Sequence, residues 1–586
     1  MVSLGSVLLL FLSGPQTNLW PLAFVALAPL LLLVRFENVK WKLPVYVSFF
    51  AYYLISLEGL RHAHPLMIFP LIALAAYLAV YPVIFVAMMR RVHRSRQPPT
   101  ATDNGMSIQA LLGLALLRCL PIALVAASLW VGGEWVRSHF ATGISVLMLG
   151  HSIVGMSSPT LIQIADCFGT YGVSFLIMMV NVAVADLIWI AMQRRKPASA
   201  PELPNRWQTA CAAWRTSVPI AVLALGLAHF YGVKSLAYPT TPSDTTFLLV
   251  GRDEQTEYQQ DQRRAADIFS DYARQTIAAV ERREQPVDVV VWPESMLSGG
   301  QAWYIAEENL SVPDDVRNDP QSAEMTADEM RQIIGENRAG FTRRSADLIA
   351  AMSGGDPDRA LAIIGGCGII RYGETVQSFS GVLHIGPDGN VEQTYAKNHL
   401  VMFGEYIPLI QSIPILKNFV PPGLGLNAGT EPAVFQIGSL DVLPNLCIET
   451  AVERVSVKHM RTLLRDRDRA LPDVIVTLTN DAWFDHSAVV AHHLRCAQMV
   501  AVGCRRPILS SANGGPTAWI DSSGRVVEQL AFDTAGEIFA TPRIDNRVSL
   551  YVRDGSIPAV VMAIAWMVFF FSMLWQKRPF SRRADR

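Results

Sequence analysis

The sequence is short of charge. Asp, Glu, Lys and Arg make up 17% of its 586 residues, while hydrophobic residues make up 51%. Water-soluble chains carry about 25% charged residues, so the deficit points to a chain that lies partly in lipid. Acidic and basic residues almost cancel, leaving a net charge of −1 and no excess of basic residues to bind a nucleic-acid backbone. Cysteine is scarce and odd in number: seven residues, at 119, 167, 211, 367, 447, 496 and 504, with no CxxC pair and no Cys/His spacing suited to a metal. Neither a disulfide framework nor a zinc site is indicated. No glycine-rich phosphate loop and no HExxH string occurs, so neither ATP nor a metal is called for, and no cofactor is expected.

What the chain has instead is long apolar runs, and a mean hydropathy of +0.27. A helix crosses a bilayer with roughly 17–25 apolar residues. Such runs lie near 17–34, 43–60, 66–89, 108–132, 171–192, 217–236 and 556–575. A shorter one at 2–14 has no basic stretch before it and no small-x-small cleavage pattern after it, so it reads as a retained first helix. Basic residues collect in alternate connections: Arg35, Lys40 and Lys42; Arg90, Arg91, Arg94 and Arg96; Arg194, Arg195, Lys196, Arg206 and Arg215; and the tail from Lys577 to Arg586. Placing these inside predicts a bundle of about eight helices with both termini cytoplasmic. The segment 240–553 then lies outside the membrane. Residues 134–170, with Glu134, Trp135 and His139, read as an external loop.

From about 245 the pattern changes to short β-rich runs alternating with amphipathic helices. Thr246–Val250, Val287–Trp292, Ala360–Ile364 with Ile369–Arg371, Asp441–Cys447, Val474–Leu478, Ile508–Ser511 and Thr517–Ile520 read as strands. Gly381–Ile385 and Val391–Tyr395 flank the turn Gly386-Pro387-Asp388-Gly389 and read as a hairpin, and a second hairpin turns at Asp521–Gly524. Gln259–Arg283 and Ala488–Val502 read as helices. The order predicts an α/β sandwich of about 300 residues. The organisation expected is therefore 1–240 membrane bundle, 241–550 outer domain with a polar insertion at about 301–345, and 551–586 final helix and basic tail.

Three strands end in polar groups. Val287–Trp292 runs into Pro293-Glu294, the hairpin after Tyr395 into Lys397-Asn398-His399, and Asp441–Leu446 into Cys447-Ile448-Glu449. Strand ends of an α/β fold converge on one cleft. A thiol, a carboxylate and an ammonium gathered there form an activated nucleophile, its proton manager and a cation for developing negative charge. Taken singly, each has a plainer explanation: a buried small hydrophobe, a turn residue, a solvated lysine. Cys367, Cys496 and Cys504 are expected to be structural, and His492, His493 and Arg495, on one helix, to pack or face solvent.

The strings Trp292-Pro293-Glu294-Ser295, Lys397 to Val401, Phe403 to Pro408, Cys447-Ile448-Glu449 and Thr479 to Phe484 resemble the apolipoprotein N-acyltransferase family, a membrane branch of the nitrilase superfamily. In the membrane half, Trp130 to Arg137 and Ile164 to Asn181 resemble it as well. The likeness implies that the outer domain is a nitrilase-like α-β-β-α sandwich. It implies Glu294 as general base, Lys397 as oxyanion-stabilising cation and Cys447 as nucleophile, with Glu405 supporting the site and Glu449 orienting the nucleophile loop. Phe379, Ser380, His399, Phe403, Asn480 and Trp483 would contribute to substrate binding. The family's reaction moves an acyl chain, typically from phosphatidylethanolamine, to a thioester and then to the α-amine of a diacylglyceryl-cysteine lipoprotein. A multi-pass protein of a bacterial inner membrane, working as a monomer with its catalytic domain in the periplasm, is implied.

The sequence departs from the family's pattern in places. The first strand runs into Gly251-Arg252-Asp253 where Gln-Gly-Asn is usual, and Phe379-Ser380-Gly381 stands where Tyr-Asn-Ser is usual. Two competing readings follow: a membrane-tethered amidohydrolase with the same triad, and a catalytically idle paralogue that binds lipoproteins.

Overall fold

The computed structural model describes residues 2–96, 120–140, 143–194, 205–256, 261–354, 361–402, 404–406, 425–466 and 471–575. It divides into two compact units, one made of 1–58, 71–238 and 554–586, the other of 59–70 and 239–553.

The first unit is helical. Among the described residues, four helices are long and apolar enough to cross a membrane: Pro65–Ser95, Leu161–Gln193, Ser217–Leu236 and Ile557–Trp575. Val2–Leu12 and Trp20–Leu33 are apolar but shorter, and the run expected at 43–60 forms a 15-residue helix, Lys42–Ser56. The helix expected at 108–132 lies in part outside the described residues. What is described is Ile122–His139, so Glu134 to His139 are helical and not part of an external loop. Tertiary packing accounts for the shift. Gly132 lies against the last helix so closely that a β-carbon on it would sit 2.5 Å from the Met562 carbonyl oxygen. Polar side chains then take up backbone groups that hydrocarbon would leave unsatisfied. The Asn181 carboxamide accepts from Leu27 N–H at 2.7 Å and Ala28 N–H at 3.1 Å, and donates to the Ala23 carbonyl at 2.9 Å, where the Trp20–Leu33 segment breaks. Arg90 donates to the carbonyls of Leu33, Phe36 and Glu37. Glu134 accepts from Leu149 N–H, and Arg137 donates to the carbonyls of Val146 and Leu147, so the chain after the helix is pinned back onto it.

The second unit is built on two sheets. The strands of these two sheets are β1 (Phe247–Gly251), β2 (Val289–Trp292), β3 (Trp303–Ala306), β4 (Ala362–Tyr372), β5 (Val376–Ile385), β6 (Val391–Ala396), β7 (Phe435–Ile437), β8 (Leu440–Leu446), β9 (Val474–Asn480), β10 (Ile508–Asn513), β11 (Ala518–Ile520), β12 (Val526–Gln529) and β13 (Gly536–Ala540). One sheet has the order β13-β1-β2-β4-β5-β6, with β3 beside β4; the other has β12-β11-β10-β9-β8-β7. The inner strands β1, β2 and β4 are parallel, as are β8, β9 and β10. Side chains alternate along each strand. Phe247, Leu249, Val289 and Val291 therefore meet Val442, Leu446, Val474 and Val476 between the sheets. Leu248, Val250 and Val290 point the other way, onto helices α1 (Gln262–Glu281) and α2 (Ala327–Ser353). Leu443, Ile475 and Ile508 face helices α3 (Glu453–Arg465) and α4 (Ala488–Cys504). Burial on both faces explains why these strands read as unbroken apolar runs. The four layers form the α-β-β-α sandwich. Within the polar stretch near 301–345, Leu310, Val312, Met330 and Ile334 form a small core of their own.

Candidate active site

The ends of β2, β6 and β8 bring the three predicted residues together. Glu294 follows β2 and is 9% exposed; Lys397 follows β6 directly and is 1% exposed. Lys397 Nζ lies 3.3 Å from Glu294 Oε1 and 2.7 Å from Glu405 Oε1. The turn that presents Glu294 depends on Gly366 in β4, where a β-carbon would lie 2.5 Å from Glu294 Cα and from Ser295 N. Cys447 is close enough to Glu294, Lys397, Glu405 and Asp481 for their charges to act on its thiol. Its backbone has φ 45° and ψ −110°, outside the regions side chains ordinarily adopt. The Cys447 N–H donates to the Leu478 carbonyl at 2.9 Å, and its carbonyl accepts from Thr450 N–H at 3.1 Å, which hold the turn in place.

Burial dominates the electrostatics. It pushes the Cys447 thiol up, Glu294 adds to this, and Lys397 opposes it, so the resting sulfur keeps its proton. Burial raises Glu294 as well; Lys397 pulls it down and the like charge of Glu405 pushes it up. A carboxylate made more basic in this way is better matched to a thiol proton. For Lys397, burial favours the neutral amine, but Glu294 and Glu405 outweigh it and hold the ammonium form.

Glu405 also accepts from Val401 N–H at 2.7 Å, so it braces the loop after Lys397. Glu449 is fully buried and accepts from the backbone N–H groups of Leu446, Asn398 and His399 and from the Tyr395 hydroxyl. It thus ties the nucleophile strand to the lysine strand. Ser380 donates to Glu294 at 3.2 Å. Phe379, its neighbour, faces the opposite side of β5 and packs with Ile369 and Trp303 under Arg371. It lines a polar cavity of about 770 Å³ with Arg371, Gln393 and Glu431, and none of Glu294, Lys397 and Cys447 borders that cavity. His399 is half-buried beside Lys397, and burial with the Arg454 charge pushes its ring down to about 4. The Asn480 side chain accepts from Asn513 at 2.9 Å and from Thr256 at 3.2 Å. Trp483 is half-buried in the turn Asp481–Phe484. Phe403 lies outside the described residues.

His493, read from sequence as a packing or solvent-facing residue, turns inward to the nucleophile turn: Nε2 lies 3.0 Å from the Cys447 carbonyl oxygen and Nδ1 3.1 Å from Asp481 Oδ1. Its signal in the sequence was a polar cluster, His492, His493 and Arg495, set among apolar residues of one helix, whose burial obliges its members to find partners. Cys367, Cys496 and Cys504 are buried, with burial holding their thiols protonated. At the surface, His486 Nε2 lies 3.1 Å from Asp253 Oδ1 and 2.8 Å from Asp533 Oδ1, within reach of both carboxylates.

The class is that of the carbon-nitrogen hydrolases: their family model matches residues 258–549, the α-β-β-α sandwich at whose strand ends Glu294, Lys397 and the half-buried Cys447 stand. An amidase of that superfamily from Nesterenkonia overlays 54% of this chain and 96% of its own at 13% identity, with a TM-score of 0.32. The profile of the apolipoprotein N-acyltransferase N-terminal domain matches residues 6–183. An apolipoprotein N-acyltransferase of Rhodopirellula baltica is 46% identical, covering 97% of this chain and 97% of the relative. One from Geobacter metallireducens is 25% identical, covering 97% and 95%. The chain belongs to the apolipoprotein N-acyltransferase family.

Proposed function

We propose that this chain transfers an acyl group from a membrane phospholipid, phosphatidylethanolamine by preference, to the N-terminal amine of diacylglyceryl-cysteine lipoproteins. The observation that carries the reading is Lys397 held between Glu294 and Glu405 beside the half-buried Cys447. Glu294 takes the thiol proton as sulfur attacks the ester carbonyl, and Lys397 bonds the oxyanion. Collapse expels the lysophospholipid alkoxide, which leaves with the proton from Glu294, and the acyl group stays on Cys447 as a thioester. The lipoprotein amine then attacks the thioester, Glu294 accepts the amine proton, and the thiolate leaves and is reprotonated. An ester is exchanged for an amide, so the reaction needs no nucleotide.

Both substrates are lipids, and each methylene withdrawn from the bilayer costs about 0.8 kcal/mol. Apolar membrane helices serve such substrates and would be idle in an enzyme of small soluble amides. The alternation of basic connections supports an inner-membrane protein with both termini cytoplasmic and residues 241–550 in the periplasm. We read it as a monomer.

The test is to incubate the purified full chain with labelled phospholipid and a diacylated lipopeptide. N-acylated peptide and a labelled adduct on Cys447 are expected. Free fatty acid without N-acylated peptide would instead identify a hydrolase, and no turnover with an unlabelled Cys447 an idle paralogue.

A further inference from the structure

Beside the nucleophile turn lies a buried pair that the acyl-transfer steps do not use. His493 sits on α4 with its side chain 11% exposed, and its partner Asp481, just after β9, is 3% exposed. Asp481 Oδ1, 3.1 Å from Nδ1, also accepts from the Thr479 hydroxyl at 2.9 Å. The Cys447 oxygen, 3.0 Å from Nε2, is a peptide carbonyl. Both are acceptors. An imidazole placed between two acceptors satisfies both only when each ring nitrogen carries a proton. The ring is therefore a buried imidazolium whose counter-charge is Asp481. The ionisable groups facing it are Asp481, Cys447 on the turn after β8, and Glu294 on the turn after β2. Burial pushes its proton off, but Asp481 and the bond to the Cys447 carbonyl outweigh that, and its pKa lies above the ordinary histidine value.

The carbonyl it holds belongs to the one residue whose backbone must stay in an unfavourable conformation for the nucleophile to be presented, Cys447 at φ 45°. Such a conformation persists only where its surroundings over-determine it. Thr450 N–H supplies one tether to that oxygen at 3.1 Å, and the imidazolium supplies a second, charge-assisted one.

We propose that His493, kept protonated by Asp481, is a positioning residue that clamps the Cys447 carbonyl and so holds the nucleophile turn in its reactive geometry. This rests on Cys447 being the acylated residue. It adds a requirement the triad does not contain: the clamp works only while both ring nitrogens bear protons. Acylation is fully supported below the pKa of His493 and weakens as pH rises through it.

The experiment is burst acylation of the detergent-purified full chain by a short-chain p-nitrophenyl ester, followed across pH. This probe reports Cys447 whatever the natural lipid donor is. The wild type is expected to lose burst rate on the alkaline side. His493→Gln should slow the burst by about tenfold, leave the half-saturating ester concentration unchanged, and abolish that alkaline loss. Asp481→Asn, which retains the ring but removes its counter-charge, should move the alkaline loss to lower pH, and it serves where His493→Gln does not fold. A His493→Gln chain with wild-type burst rate and pH profile, or an Asp481→Asn chain with an unmoved profile, overturns the proposal. A normal ester burst without N-acylated lipopeptide would overturn only the lipid-transfer reading; no burst in the wild type would overturn both.

Discussion

Lys397 bonds two carboxylates, and they are not equivalent. Glu294 is raised by burial and by the neighbouring negative charge of Glu405. A base in this position must be deprotonated to work, so acylation should fall as pH drops through the raised Glu294 value. Glu405→Gln removes the like charge and leaves Lys397 to Glu294 alone. Both changes favour the Glu294 carboxylate, so the acid limb of the adduct-formation profile should move to lower pH. An acid limb that stays in place or moves up would contradict this assignment. Cys447→Ala and Cys447→Ser should abolish the thioester adduct, read by mass spectrometry of the intact protein, while Cys367→Ala should retain it. Glu449 poses a stability question instead. It is fully buried and takes three backbone N–H donors and one hydroxyl. Glu449→Ala strands all four, and should cost about 3 kcal/mol or more, measured as a lowered melting temperature. Tyr395→Phe removes only one of these donors and should cost less.

At the scale of elements, two glycines decide how closely parts approach. Gly366 lets β4 pass under the Glu294 turn, and a methyl group there would meet the backbone of Pro293, Glu294 and Ser295. Gly366→Ala is expected to cost about 2 kcal/mol and to reduce adduct formation further, because it displaces Glu294. Gly132 does the same for two helices of the membrane unit: its β-carbon would lie 2.9 Å from Trp566 Cβ as well as against the Met562 carbonyl. Gly132→Val should therefore destabilise the helical unit, lowering its melting temperature while leaving the fold of the outer domain intact by tryptic mapping. These glycines stand in strings that could be read from sequence, but the partners they make room for, at 294 and at 562, are 72 and 430 positions away.

For the whole molecule, the alternation of basic loops makes an orientation prediction independent of chemistry. In intact cells with a permeabilised outer membrane, a cysteine introduced at Asp388, in the exposed turn between β5 and β6, should react with an impermeant maleimide. One introduced at Arg195 should not react until the inner membrane is opened. The reverse pattern would place the outer domain in the cytosol and remove it from lipoprotein substrates.

Most strands of the outer domain, though not β3, β7 or β13, together with the strand-end positions of Glu294, Lys397 and Cys447 and the apolar runs, were legible because each is a local pattern: period, run length or a short motif. The extent of the Ile122–His139 helix was not, since Gly132 and Arg137 acquire their roles from chain segments distant in sequence. Nor was the separation of Ser380 from Phe379, adjacent residues that the pleat sends to opposite faces, only one of which holds Glu294. The amino-acid order alone determined which groups the site could contain. Tertiary structure decided which of them meet, how burial shifts their protons, and that a histidine on a distant helix would close on the nucleophile, because those outcomes depend on which surfaces leave water together.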